Sequence, residues 1–283
     1  YRSLGGNISR SNEATLNHLT DLTGTDPKLG PELIHRVVHY HAPESFSPAI
    51  DIISISPLTT DIRGLSRPLD GDGDFIAQAD SGAVEAPPMI LVDIESDEND
   101  GLGNGAGTSL RDAVNFTNTN TFPIDPIIGF APFLSGQQIS VQGFLGGEIL
   151  ISKGATIDAS NLSENPIIIG EGDGGNFRIF QLNARDEIIR LRGLNITEGR
   201  TSAQGAGLWV ANGTLAELSE CEITEHRASG NGGGIAVTQA STLIMERCTL
   251  ASNRSDDFGG ALFVSDATAH LSQCTLADNF ARS

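Results

Sequence analysis

The densest group of chemistry-bearing residues is the stretch Asp70-Gly71-Asp72-Gly73-Asp74-Phe75-Ile76-Ala77-Gln78-Ala79-Asp80. Alternate aspartates place carboxylates at the first, third and fifth positions of a tight loop. A carbonyl at the seventh position and a later carboxylate complete an oxygen cage of the kind that suits Ca²⁺. Asp70, Asp72, Asp74 and Asp80, with the carbonyl of Ile76, are the expected ligands. Phe75 stands where such loops carry glycine, and the alternative is a solvated acidic turn. A second group is His35, His39 and His41. Read as one strand from Leu33 to His41, the segment puts all three on one face, a spacing that either holds a transition metal or serves a structural role. The acids Glu217, Glu220, Glu222 and Glu225 are interspersed with Ser and Thr. No Asp pair recurs at one phase, so the paired carboxylates of a glycosidase are missing and no catalytic residue is assigned.

These residues sit in a chain whose second half repeats. Gly205-Ala206-Gly207-Leu208 returns as Gly232-Gly233-Gly234-Ile235 and as Gly259-Gly260-Ala261-Leu262, at intervals of 27 residues. Leu194, Cys221, Cys248 and Cys274 keep the same beat, as do Ile196, Ile223, Leu250 and Leu276. Each unit holds short alternating strands, such as Leu208-Trp209-Val210, separated by glycine and small polar residues, with no helical stripe. Propeller blades are longer and carry four strands. The pattern therefore predicts one coil of a parallel β-helix per period, with each inward side chain stacked about 4.8 Å from its counterpart. The three cysteines fall at one phase and are expected as an interior thiol column, too far apart for unstrained disulfides. Trp209 and Phe263 share the outward phase with Ala236 between them, and are the candidate interface residues, for a sugar or a neighbouring chain.

The net charge of −19 opposes nucleic acid and anionic membranes as partners and is compatible with calcium. No apolar run is long enough to span a bilayer, so no membrane insertion is expected. Glu85-Ala86-Pro87-Pro88 divides the chain into residues 1–86 and 87–283. After it, Met89 to Ile94 reads as a strand. Thr108-Ser109-Leu110-Arg111-Asp112-Ala113-Val114 then reads as a helix capped by Ser109, with Asp112 closing a capping box. Leu110, Ala113, Val114 and Thr117 give it one apolar face, suited to covering the open end of a solenoid.

Thr108-Ser109-Leu110-Arg111-Asp112-Ala113 resembles the C-S-L-R-E-A box that opens a family of bacterial surface β-helices, with Thr108 in place of the cysteine and Asp112 in place of the glutamate. The glycine-started coils are similar to those of polymorphic outer-membrane proteins. Residues 1–86 resemble the other end of such a domain, of the choice-of-anchor type, through Asp61-Ile62-Arg63-Gly64 and Asp80-Ser81-Gly82-Ala83-Val84-Glu85. The resemblance implies a protein of the bacterial cell surface or exterior with no catalytic residues. The fold expected is all-β: a right-handed parallel β-helix with a short capping helix, preceded by the closing segment of another β-helix. The chain is expected to be one window of a longer tandem polypeptide, or a protomer whose halves complete different neighbours. The leading functional expectation is a structural module that builds a fibre, sheath or surface layer, with copies of itself as partners. An adhesin that binds glycans and a polysaccharide lyase or glycosidase are the alternatives.

Overall fold

The computed structural model describes residues 7–11, 21–35, 38–171 and 176–282. The chain divides into two compact units, Tyr1–Ile90 with Phe122–Pro126, and Leu91–Thr121 with Ile127–Ser283. The passage between them lies within the strand Met89–Val92.

The second unit is a parallel β-helix of about six coils. One coil runs through Ile188–Arg192, Asn195–Thr197, Arg200–Thr201 and Leu208–Val210. Each strand pairs in parallel with its equivalent 27 residues on, as in Leu191↔Leu218, Ile196↔Ile223, Arg200↔Arg227 and Leu208↔Ile235. Stacking these coils produces sheets of seven, six, four and five strands. The interior is the set of columns read from the period: Leu191, Met245, Ile196, Ile223, Leu250, Leu208 and Ile235 are all fully buried. The third strand of the coil, Arg200–Thr201 and its equivalents, has no apolar alternation and was not expected.

Two sharp corners per coil separate three of the strands. The first places Gly193, Glu220, Arg247 and Gln273 at φ of 63, 55, 52 and 54°, the second Glu198, Glu225, Ser252 and Asp278 at φ of 59, 58, 57 and 54°. For residues with a Cβ this left-handed conformation costs about 1–2 kcal/mol each. The residue after each corner turns inward and offsets that cost. After the first corner come Leu194, Cys221 and Cys248, no more than 1% exposed, with the thiols of Cys221 and Cys248 directed at the carbonyls of Leu191 and Leu218. The cysteines are unpaired, as expected of a thiol column, and Cys274 is partly exposed because no coil among the described residues lies beyond it.

The second corner carries a hydrogen-bond ladder. Asn253 Nδ2 donates to Ile223 O at 2.8 Å while its Oδ1 accepts from His226 N at 3.1 Å; Asn279 repeats this with Leu250 O and Asn253 N. His226 takes the same place one coil earlier. Its Nε2 donates to Ile196 O at 3.0 Å and its Nδ1 accepts from Gly199 N at 2.9 Å, so a neutral imidazole does the work of a carboxamide. The ring fills space that a side chain at Gly207 would invade, since a Cβ there would lie 2.8 Å from it. Gly205, Gly232 and Gly259 recur for a separate reason: their φ values of 64–70° and the carbonyls 2.3–2.5 Å from any added Cβ admit no side chain.

The helix Leu110–Thr119 has the expected capping box, with Ser109 accepting from Asp112 N and Asp112 accepting from Ser109 N. Its buried face includes Leu110, Ala113, Val114 and Thr117, and it packs beside the strand Ile149–Ile151. Arg111 is buried too. It forms a two-point ion pair with Asp97, both bonds 2.8 Å, and reaches Gly147 O at 2.7 Å, which ties the helix to the first coils.

In the first unit, the single strand expected from Leu33 to His41 is instead two, Leu29–His35 and Val38–Pro43, paired antiparallel. Within this pair His39 bonds Glu32 Oε1 at 3.0 Å and His41 bonds Gly30 O at 2.8 Å. A short parallel pair, Ile8–Ser9 with Leu22–Thr23, precedes it.

Burial lowers the pKa of His226 from 6.5 to about 4, against the two backbone bonds that raise it. The unfolded chain therefore takes up a proton first, and stability present above about pH 6.5 is lost as the pH falls toward 4. The shift corresponds to about 3 kcal/mol. His226→Asn keeps both ladder bonds and cannot titrate. Urea unfolding at pH 7.5 and 4.5 should show the native chain losing about 2–3 kcal/mol more than this variant.

Candidate functional site

The acidic stretch of the first unit is drawn into a buried network. Asp61 Oδ1 accepts from Arg63 N and Leu65 N at 2.7 and 3.2 Å, and its Oδ2 from Glu85 N at 3.2 Å and Arg63 Nε at 2.7 Å. Arg67, 7% exposed, lies 3.1 Å from Glu85 and donates to the carbonyls of Gly82 and Asp80. Glu85 is fully buried and also accepts from Leu69 N and Asp80 N. Loops without regular structure have many orphan amides, and these carboxylates satisfy them from the inside. Burial pushes Asp61 up, but Arg63 and the backbone donors outweigh it and leave the group below the usual carboxylate range.

Within this frame the structure brings together only part of the expected cation loop. Asp70 and Asp72 meet Asp51, each offering an oxygen within 4.8 Å of the others. Asp51, distant in sequence, was not a sequence candidate. Asp70 also accepts from Gly73 N and Phe75 N, and Asp51 from Gly71 N, Asp72 N and Gln78 N. Asp74 is exposed and accepts from Ile76 N at 2.7 Å. Asp80 is 1% exposed, and its carboxylate turns inward onto Asp51 N and Ala86 N. Burial raises Asp80 to about 7, opposed by those two amides, and Asp51 to about 6, opposed by Gln78 N and Gly71 N. Burial, followed by the charges of Asp74 and Asp70, also raises Asp72. Carboxylates this crowded favour either protons or a cation.

On the β-helix, Trp209 and Phe263 share the outward phase with Gln181 and Ala236, and both aromatics are half-buried. Trp209 is engaged on two sides. Its Nε1 donates to Thr238 Oγ1 at 2.9 Å and the Arg178 guanidinium lies over its ring at 4.7 Å. Beside them is a cavity of about 330 Å³ lined by Arg178, Ala203, Gln204, Trp209, Gly230 and Asn231. The outward acids are tied to arginines across coils: Glu217 to Arg190 at 2.7 Å and Glu220 to Arg247 at 3.0 Å. The Arg190–Glu217 pair borders a second cavity of about 290 Å³ with Arg192, Ser219, Ile244 and Glu246. Sequence reading missed Arg178 because its role depends on Trp209 one coil later. The repeat of Arg200, Arg227 and Arg254 was the available signal for a cationic column and was overlooked.

Residues 149–283 match the family model described as a right handed beta helix region, which covers the coils from the strand Ile149–Ile151 onward and gives them their hand. The fold is thus a right-handed parallel β-helix. No curated protein and no solved structure matches the chain. No helix among the described residues is long and apolar enough to cross a membrane.

The buried network makes a contrast in ion pairs. Arg67→Ala strands Glu85 without a counter-charge and should cost about 3–5 kcal/mol. Arg192→Ala removes a half-exposed partner 3.8 Å from Asp158 and should cost under about 1 kcal/mol. Chemical denaturation of both variants measures the difference.

Proposed function

We propose that the chain is a structural β-helix module of the bacterial cell exterior that builds a fibre, sheath or surface layer by continuing its coil stack, head to tail or in tandem. The observation that carries this is the edge presented by the strands Leu262–Val264, Thr268–Ser272, Thr275–Ala277 and Phe280–Ala281. None of these strands contains Lys, Arg, Asp, Glu or Pro, the residues by which sheet edges avoid pairing. Among the described residues nothing covers their inward column. Leu276 is 51% and Leu271 38% exposed, whereas Leu250 and Met245 one coil earlier are fully buried. Such an edge pairs with further coils. The complementary surface proposed is the strand Leu29–His35 of a neighbouring copy, where Leu33 and Ile34 are exposed. A head-to-tail contact of this kind grows a filament unless it closes into a ring. We assign no catalytic role, since Glu217 and Glu220 are held by arginines rather than poised as an acid–base pair.

Electron microscopy and sedimentation test the assembly. Concentrated protein should form end-to-end particles, and Leu276→Lys should disperse them with little change in unfolding temperature. Particles that remain single at high concentration would count against the reading, as would assemblies indifferent to Leu276→Lys.

Calcium is proposed for the first unit, on the carboxylates of Asp51, Asp70 and Asp72, with Asp74 next to them. Neutralising their mutual repulsion supports this. Calorimetry should show Ca²⁺ binding that Asp72→Asn weakens by about tenfold or more. Absence of heat in the millimolar range, together with an unfolding curve unchanged by chelator, would remove calcium from the account.

A further inference from the structure

The cavity beside Trp209 holds a charged group with no hydrogen bond. The Arg178 side chain is 8% exposed, and its nearest counter-charge is Glu148, 3.3 Å from Nε and one-third exposed. That approach lacks hydrogen-bond geometry, so the buried Nε has no partner, and neither terminal nitrogen bonds any described residue. Burial lowers the pKa of Arg178, against the pull of Glu148. A guanidinium left this way is costly unless something else takes up its donors, and the group lines an open cavity.

The rest of the lining narrows what fits. Gln204 has no side-chain hydrogen bond, and Asn231 uses only its Oδ1, which accepts from Phe258 N at 3.2 Å. These two carboxamides leave donors and acceptors free for hydroxyl groups. Ala203 and Gly230 keep the opening wide, the Trp209 indole supplies an aromatic wall, and no carboxylate of the described residues lines the cavity. The loops carrying Gln204 and Asn231 follow directly on Arg200–Thr201 and Arg227–Ala228, whose arginines are exposed and in register. Arg227 is in turn paired with Asp256 at 3.8 Å, which leaves Arg178 as the cation of the cavity wall. At about 330 Å³ the space lies at the small end of ligand cavities, about 300–1,000 Å³.

We propose that this cavity binds a carboxylated sugar, with the carboxylate on the terminal nitrogens of Arg178 and hydroxyls on Gln204 and Asn231. The planar fork of the guanidinium matches a carboxylate at two points, and the amides distinguish a polyhydroxylated acid from a bare anion. This would give an assembled module a repeated contact with an acidic glycan, one per copy. It does not depend on the assembly itself.

Trp209 is the single tryptophan of the chain, so its emission reports on this cavity alone. Sodium D-glucuronate and D-galacturonate should shift that emission saturably. D-galactose, sodium acetate and phosphate at matched ionic strength should need about tenfold more or give no saturation. Gln204→Ala removes an amide with no protein partner and should weaken uronate binding about three- to tenfold with an unchanged unfolding curve. Arg178→Gln should abolish the response. Should that variant fail to fold, Arg178→Lys keeps a charge without the two-point fork and should bind at least about tenfold more weakly. An equal response to acetate or phosphate would reduce the site to a plain anion pocket, and an equal response to galactose would remove the role of Arg178. No saturation with either uronate, or a Gln204→Ala variant of native affinity, also overturns the proposal.

Discussion

The backbone of a coil makes almost none of its strand hydrogen bonds within itself. Nearly every strand of the second unit is paired with the equivalent strand one period away, in register. A residue is therefore surrounded by its own counterparts, and each feature of one coil is imposed on the next. The left-handed corners show the consequence. They are strained where a residue with a Cβ occupies them, yet they recur at the same places in successive coils. A corner shifted by one residue would throw every following side chain to the wrong face.

The same constraint explains how different residues come to do one task. Leu194, Cys221 and Cys248 fill one column because the site asks for a small apolar group facing inward. His226, Asn253 and Asn279 share another position, where the requirement is a donor to one backbone carbonyl and an acceptor from one amide. Asparagine meets it with its two amide atoms. Histidine meets it only in its neutral form, so this coil alone acquires a proton-sensitive bond.

The first unit obeys a different rule. It has little regular structure to satisfy its amides, and it uses carboxylates for that purpose, balanced by Arg63 and Arg67. Its acids are therefore occupied with backbone before any cation is considered. The group formed by Asp51, Asp70 and Asp72 is what remains where three such carboxylates approach one another. On the β-helix the charged groups are mostly paired between neighbouring coils; Arg178 differs from the arginines of those pairs in being buried, with Glu148 beside it and no hydrogen bond.

The 27-residue period by itself determined the solenoid, its inward columns and the thiol column, because in-register stacking turns a sequence interval into a spatial neighbour. The capping helix was equally legible: Ser109 and Asp112 are three residues apart, and their box is local. What the sequence could not disclose lies outside any period. Asp80 looked like a fifth ligand by spacing, but the chain path points it at Asp51 N and Ala86 N. Leu33 to His41 looked like one strand, but pairing divides it into two. The cavity at Trp209 sets Arg178 beside Gln204 and Asn231, which lie 27 residues apart at one phase, and only the closed turns bring the arginine of the preceding coil to these two carboxamides. Periodic contacts are written in the sequence because stacking repeats them; single contacts are decided by where the folded backbone carries each side chain.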